Sequence, residues 1–179
     1  TVTRAQEAFT ALQQEFGAHV RLMHSRFIAP DRARREARLV RELGPSGDRP
    51  DRLIVVGTQV LEQSLDVDFD LMVTDLAPAD LILQRAGRLH RHERKERPKA
   101  VADPRLWIRG VVDWQTDPPQ AVRGSRAVYG SQRLLRAAAV LTGMRYIRLP
   151  DDIPRLVRLA YDPDAQSPEG WQDAWHAAE

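Results

Sequence analysis

Residues 53–75 read LIVVGTQVLEQSLDVDFDLMVTD, in which two short apolar runs flank a polar loop. Neither run alternates apolar with polar residues, and uninterrupted runs of this length are typical of strands buried on both faces of a parallel sheet. Gly57 and Thr58 would follow the first strand at its carboxyl end, where open α/β sheets bind ligands. Glycine lets a ligand approach the backbone closely, and threonine offers a hydroxyl and a backbone N–H group to a phosphate oxygen.

The rest of the chain alternates helical and strand-like segments, which predicts a mostly parallel α/β sheet flanked by helices. After residue 113 the composition changes, and Pro118-Pro119 marks a boundary between a first domain over residues 1–115 and a helical extension over residues 116–179. We expect strands over residues 20–23, 53–57, 71–74 and 106–112, and helices over residues 4–15, 30–43, 60–64, 78–87, 125–141 and 153–161, with a last helix carrying Trp171 and Trp175.

A second informative segment, QRAGRLHR at residues 84–91, places Arg85, Arg88 and Arg91 at intervals of three residues. This spacing can direct several guanidinium groups at one anionic target. A charged stripe at helical spacing is, however, equally often a solvated helix face. The two readings stay open on this segment alone.

Taken together, residues 58–70 and 84–92 resemble motifs V and VI of the superfamily 2 helicases. The QRxGR pattern is shared by many helicases, whereas EQSLDxD and LHRH narrow the resemblance to the CRISPR-associated helicase-nuclease of type I systems. The triplet at residues 24–26, His-Ser-Arg, is similar to motif IV of the same family, and residues 149–162 are similar to the segment that follows its second motor lobe. The resemblance implies a RecA-like second lobe of an ATP-dependent translocase that acts in CRISPR interference.

This resemblance also implies roles for single residues at the nucleotide. Arg88 and Arg91 are expected to be arginine fingers on the γ-phosphate, and Gln84 to position that phosphate or the attacking water. Asp66 is expected near the ribose or in coupling motif V to motif VI. For Arg85, contact with the nucleotide and structural pairing with Asp66 or Asp70 are equally open.

Four further residues are expected, by the same resemblance, to contact the backbone of single-stranded DNA: Thr58, Gln59, Ser25 and Arg26. Contacts to phosphates carry no sequence information, which suits a motor that moves along any strand. The remaining partners implied are the RNA-guided surveillance complex, the first RecA-like lobe and a nuclease domain. ATP and Mg²⁺ would be bound mainly by the first lobe.

Three motifs that such an enzyme needs are absent from this sequence. Lysine occurs only at Lys95 and Lys99, so there is no Gly-x-x-x-x-Gly-Lys phosphate loop, and neither an Asp-Glu nor a His-Asp pair is present. We therefore expect the first lobe and the nuclease site elsewhere in a longer parent chain, and no activity from this chain alone. The alternatives are a non-catalytic module that binds nucleic acid or protein, and a lobe of an RNA helicase.

Structural interpretations compete at several positions. The alternating carboxylates Asp66, Asp68 and Asp70 could serve as turn or capping residues, and His90 with His92 lacks a third metal ligand in sequence, so we expect no metal site. We expect Trp171 and Trp175 to pack rather than to stack on bases.

Composition agrees with a single soluble lobe. The chain has 179 residues, 42% of them hydrophobic, and a formal net charge of only +2, but residues 85–99 carry seven basic against two acidic residues. The absence of cysteine excludes disulfides and thiolate metal sites. No signal-like or membrane-length apolar run occurs, so we expect a cytoplasmic protein without membrane contact.

Overall fold

The computed structural model describes residues 1–61 and 65–178. The chain forms two compact units, each made of two stretches of sequence. The first unit contains Thr1–Asp70 and His90–Ala102, and the second contains Leu71–Leu89 and Asp103–Glu179. Residues 58–61 and 65–70 of motif V therefore lie in the first unit, whereas motif VI, residues 84–92, is divided after Leu89.

The first unit places two helices around a pair of parallel strands. Thr1 opens α1 by accepting the N–H of Arg4 on its hydroxyl, and Gly17, at a φ of 55°, ends it. Strand β1 pairs with β2 from Val20 opposite Ile54 to Met23 opposite Gly57. The elements are α1 (Val2–Phe16), β1 (Val20–Met23), α2 (Ala29–Leu43) and β2 (Ile54–Gly57), with 3₁₀ turns at Gly17–His19, Gln59–Leu61 and Lys99–Val101.

The core of this unit lies between α2 and the loop that follows β2. Met23 from β1, Leu39 and Leu43 from α2, and Val60, Leu65 and Val67 from the loop form one buried apolar cluster. Val67 is completely buried although it stands between two aspartates. The polar loop after β2 is therefore anchored in the core by its apolar positions.

The second unit is a parallel strand pair with five helices. Strands β3 and β4 pair from Leu71 opposite Arg105 to Asp75 opposite Arg109. Its buried cluster is built from five alanines, two leucines and one tryptophan: Leu76, Ala79, Ala121, Leu134, Ala137, Ala138, Ala160 and Trp171. The elements are β3 (Leu71–Asp75), α3 (Ala79–Ala86), β4 (Arg105–Arg109), α4 (Arg123–Tyr129), α5 (Ser131–Leu141), α6 (Ile153–Tyr161) and α7 (Gln172–Ala178).

Most expected elements differ from the structure by at most two residues at an end, and the last helix begins at Gln172, so that Trp171 precedes it. Three further elements differ more or are only partly described. The single helix expected over residues 125–141 is wrong, because Gly130 adopts a φ of 80° and separates α4 from α5. The strand expected to reach residue 112 ends at Arg109, since Gly110 at a φ of 73° turns the chain and Val111 then bridges to Ala121. Of the helix expected over residues 60–64, residues 62–64 lie outside the described part of the chain.

The prediction that Trp171 and Trp175 are packing residues is confirmed. Trp171 and Trp175 are 4% and 7% exposed, and the guanidinium carbon of Arg136 lies 5.1 Å from the centre of the Trp175 ring. The domain boundary expected near residue 115 stays a prediction. Among residues 1–61 and 65–178, no helix combines the length and apolar character needed to cross a membrane.

Candidate functional site

The residues expected to contact DNA lie at the carboxyl ends of β1 and β2. Because these strands are parallel and end together at Met23 and Gly57, the loops that follow them leave the same edge of the sheet. Thr58 fixes this edge by donating its N–H to the Met23 carbonyl at 3.0 Å. Its hydroxyl oxygen is buried without a hydrogen-bond partner in the described part of the chain. A buried hydroxyl without a hydrogen-bond partner costs free energy, so a ligand that supplies this hydrogen bond would bind favourably here.

The loop after β1 is held by a stack of side chains. His24 is 5% exposed, and its ring stacks on Phe27 with centres 4.1 Å apart. Arg35 packs over the Phe27 ring, with its guanidinium carbon 4.1 Å from the ring centre. His24 is thus a packing residue, while Ser25 and Arg26 next to it are exposed.

Motif VI begins on α3 in the second unit. Ile82 and Leu83 are buried, whereas Gln84 is exposed and Arg88 is half-buried just after the helix ends. Arg85 donates to the Thr74 hydroxyl at 2.5 Å and the Asp75 carbonyl at 3.2 Å.

These contacts join Arg85 to the strand that precedes its helix. A further bond of 3.4 Å joins Arg85 to the hydroxyl of Tyr129, so that this side chain ties α3 to the end of β3 and to α4. The pairing partners expected from sequence are engaged elsewhere, Asp66 with Arg91 and Asp70 with Arg49 and Arg97.

Arg91 lies in the first unit and is held from two directions. The chain turns at His90, a residue with a φ of 48°, whose N–H donates to the Phe69 carbonyl at 3.0 Å. The backbone N–H of Arg91 donates to Asp68 at 2.8 Å, and its Nε donates to Asp66 at 2.7 Å. The Arg91 side chain nevertheless remains 47% exposed. An exposed guanidinium with a fixed backbone and a fixed Nε is suited to meet an anion.

Sequence reasoning missed the buried ion network beneath Arg91. Asp68 is 0% exposed, and its carboxylate accepts from Arg49 at 3.0 Å, from Arg94 at 2.5 Å and from Arg97 at 2.9 Å. Asp70 extends the network, since it pairs with Arg49 at 2.5 Å and also with Arg97. We call these five residues, Arg49, Asp68, Asp70, Arg94 and Arg97, the Asp68 network.

The charges of this network determine the ionisation of Asp68. Burial alone would raise the pKa of Asp68, but the hydrogen bonds from Arg94 and Arg97 and the charges of Arg97 and Arg49 outweigh it and lower the pKa below 3.8. Asp68 is therefore a carboxylate at neutral pH. Its partners are guanidinium groups and one backbone N–H, which corrects the turn or capping role considered from sequence.

One histidine of motif VI lies close to a carboxylate of motif V. His92 Nε2 lies 3.2 Å from Asp66 Oδ1, but within residues 1–61 and 65–178 no group of three or more His, Cys, Asp or Glu side chains could hold a metal ion. The carboxylates of motif V instead contact cations of the protein itself.

Parallel strands whose following loops leave at the carboxyl ends are typical of α/β domains that bind a ligand at that edge. Residues 1–94, just over half of the chain, match the family model described as CRISPR-associated nuclease/helicase Cas3, C-terminal. The chain belongs to this Cas3 C-terminal family. The fold class and the family expected from the sequence are both confirmed.

Individual relatives agree with this assignment. Over 165 residues the chain is 45% identical to a CRISPR-associated nuclease/helicase Cas3 of Streptococcus thermophilus, a match that covers 92% of this chain and 17% of that protein. It is similar, at 35% identity over 99% of its length, to T. fusca Cas3 with AMPPNP, with a TM-score of 0.84 over 21% of that chain. A chain of a CRISPR RNA-guided surveillance complex, pre-nicking, is similar at 35% identity over 99% of this chain and 22% of that one, with a TM-score of 0.81. The sequence thus spans about a fifth of the length of the proteins that it matches.

Proposed function

We propose that this chain is the second motor lobe of an ATP-dependent single-stranded-DNA translocase that acts in CRISPR interference. Membership of the Cas3 C-terminal family and similarity to a Cas3 with bound AMPPNP support this proposal. The observation that carries it is the arrangement of Arg91, whose half-exposed guanidinium is fixed by Asp66 and whose backbone is fixed by Asp68.

Arginine at this position has a defined chemical task. Transfer of the γ-phosphoryl group spreads negative charge over its oxygens, and guanidinium groups that are already in place stabilise that charge without reorganisation. A finger of this kind contributes roughly 10³ to 10⁵ in rate, equivalent to about 4 to 7 kcal/mol of barrier. We assign this role to Arg88 and Arg91, and to the exposed Gln84 the positioning of the γ-phosphate or of the attacking water.

Asp66 and Arg85 have supporting roles in this proposal. Asp66 couples motif V to motif VI through its 2.7 Å contact with Arg91, and it lies near the ribose when nucleotide is bound. Arg85 fixes the motif VI helix through its bonds to Thr74 and Asp75. The other half of the nucleotide site, with Mg²⁺, is assigned in this proposal to the first RecA-like lobe, because this sequence has no Gly-x-x-x-x-Gly-Lys phosphate loop.

Single-stranded DNA is proposed to bind along the carboxyl edge of β1 and β2. Ser25, Arg26 and Gln59 are exposed there, and Thr58 stands at the same edge with a buried hydroxyl that has no hydrogen-bond partner among the described residues. Backbone amides, hydroxyls and arginines are the groups that contact phosphates. The first lobe, a nuclease domain and an RNA-guided surveillance complex complete the proposed set of partners, all in the cytoplasm.

Hydrolysis of ATP by a protein that carries this chain together with the first lobe tests the proposal. Arg88→Ala and Arg91→Ala should each lower the DNA-stimulated kcat by about 10³-fold or more, while the affinity for single-stranded DNA stays within a factor of about two to three. Arg155→Ala is the matched control, because this exposed arginine forms a local ion pair with Asp152, three residues before it. Unchanged hydrolysis in Arg88→Ala would remove Arg88 from the site, and stronger stimulation by RNA than by DNA would replace DNA as the track.

A further inference from the structure

We propose that Asp68 is a positioning residue that presents Arg91 to the nucleotide, an inference that rests on the proposed function of Arg91. Asp66, two residues earlier, contacts the Arg91 side chain, whereas Asp68 contacts its backbone. The two aspartates thus hold one arginine at two different points. Val67 between them is buried in the core of the first unit, which fixes the segment that carries both.

Asp68 is itself fixed on the side opposite Arg91. Its backbone N–H donates to the carbonyl of Leu43, the last residue of α2, at 3.0 Å. Its carboxylate is fully buried, and one oxygen accepts the Arg91 N–H at 2.8 Å while the other accepts from Arg94 at 2.5 Å. A displacement of Arg91 relative to α2 would therefore require this carboxylate to move or to lose a hydrogen bond.

The segment after Arg91 is folded around the same carboxylate. Arg94 also donates to the Gly44 carbonyl at 3.0 Å, and Arg97 donates both to Asp68 and to the His92 carbonyl at 3.0 Å. Residues 91–97 therefore enclose Asp68 with three of their groups, one backbone N–H and two guanidiniums. Loss of the carboxylate charge would leave these guanidiniums close together without their shared counter-ion.

Asp70 provides an internal comparison. It shares Arg49 and Arg97 with Asp68 and is 25% exposed, yet within the described residues its partners do not include Arg91. Substitution of Asp70 therefore disturbs the same network without removing a contact to Arg91. Asp68 is fully buried and holds one more arginine than Asp70, so the comparison is read together with the double-mutant cycle below, which isolates the contact to Arg91.

The test uses ATP hydrolysis in a protein that carries this chain with the first lobe and is stimulated by single-stranded DNA. Asp68→Asn should lower kcat by about tenfold to a hundredfold, the size of effect produced by a small misplacement of a catalytic group. The KM for ATP should change by less than about threefold, and Asp70→Asn should lower kcat by less than about threefold. Equal losses in the two variants would overturn the proposal.

A double-mutant cycle separates positioning from general destabilisation. If Asp68 acts through Arg91, Asp68→Asn should cause no further loss of single-turnover rate in an Arg91→Ala background. An additive loss in that background would overturn the positioning role and leave the finger role of Arg91 intact. An unchanged rate in Arg91→Ala alone would instead overturn the finger role, and the positioning role with it.

A second variant covers the case in which Asp68→Asn does not fold. Arg94→Gln keeps the carboxylate and removes one of the groups that hold it. We expect a smaller loss of kcat, of about threefold to tenfold, which again disappears in the Arg91→Ala background. A loss that persists there would contradict the proposal.

Discussion

Replacement of Asp68 by asparagine should destabilise the first unit strongly, because it removes one charge from a buried group of ions. The Asp68 side chain is 0% exposed, and its partners Arg49, Arg94 and Arg97 are 22%, 15% and 10% exposed. Breaking a buried ion pair by removal of one partner costs about 3–5 kcal/mol, because the remaining charge stays buried without compensation. We expect the free energy of unfolding to fall by that amount.

Urea unfolding followed by far-UV circular dichroism measures this change. With an m-value of about 2 kcal/mol/M, a loss of 3–5 kcal/mol lowers the urea midpoint by roughly 1.5–2.5 M. The matched control is Glu36→Gln, because Glu36 forms a partly exposed i,i+4 pair with Arg32 at 3.7 Å. Such pairs contribute about 0.3–0.5 kcal/mol, so the control should move the midpoint by less than about 0.3 M. Equal shifts in the two variants would refute the conclusion that the network stabilises the fold.

Three further predictions concern acid sensitivity, a tight turn and the last helix. The neighbouring guanidiniums outweigh burial and lower the pKa of Asp68. The stabilisation by its carboxylate is therefore present above the unfolded-state pKa of about 4 and is lost as the pH falls through the folded-state pKa. Below pH 4 the urea midpoint of the parent chain should decrease, and this decrease should be smaller in Asp68→Asn. Gly110→Ala should destabilise the fold more than Gly143→Ala in the same assay, since both have a φ above 70° but a Cβ at Gly110 would lie 2.8 Å from Asp75, whereas one at Gly143 meets no atom within 4 Å. Trp175→Ala should cost about 3–5 kcal/mol and leave the single-stranded-DNA affinity of the folded protein unchanged in fluorescence anisotropy; a selective loss of affinity would favour base stacking instead.

The sequence predicts most elements of the fold because their causes are local. Short, mostly apolar runs identify all four strands of the described residues, although Arg21 lies within the first of them, and breakers such as Gly17 and Gly44 stand at the ends of α1 and α2. The exceptions also have local causes that the pattern does not reveal. Gly130 and Gly110 stand within or just after apolar patterns, and only the backbone conformation shows that they interrupt a helix and end a strand.

In the candidate site too, some positions follow from the local sequence, whereas others depend on contacts between residues that are distant in the sequence. The positions of Ser25 and Thr58 follow from their place directly after parallel strands, so the pattern suffices to bring them to one edge. The Asp68 network joins residues 19 to 29 positions apart. Charged residues at such distances are indistinguishable in sequence from solvated surface charges. The only signal is the alternation of buried Val67 with the flanking aspartates, which indicates that this loop enters the core.

The network also explains which arginines of a strongly basic segment face solvent. If stability alone mattered, well-packed apolar residues could replace a buried group of ions at little cost. Arg94 and Arg97 are at most 15% exposed because Asp68 and Asp70 hold them, whereas the Arg91 side chain is 47% exposed. The aspartates thus withdraw two guanidiniums from an approaching phosphate and leave the third at the surface. For the finger role proposed for Arg91 this selection is useful, because Arg94 and Arg97, held by the aspartates, do not compete with it for the same anion in a different geometry.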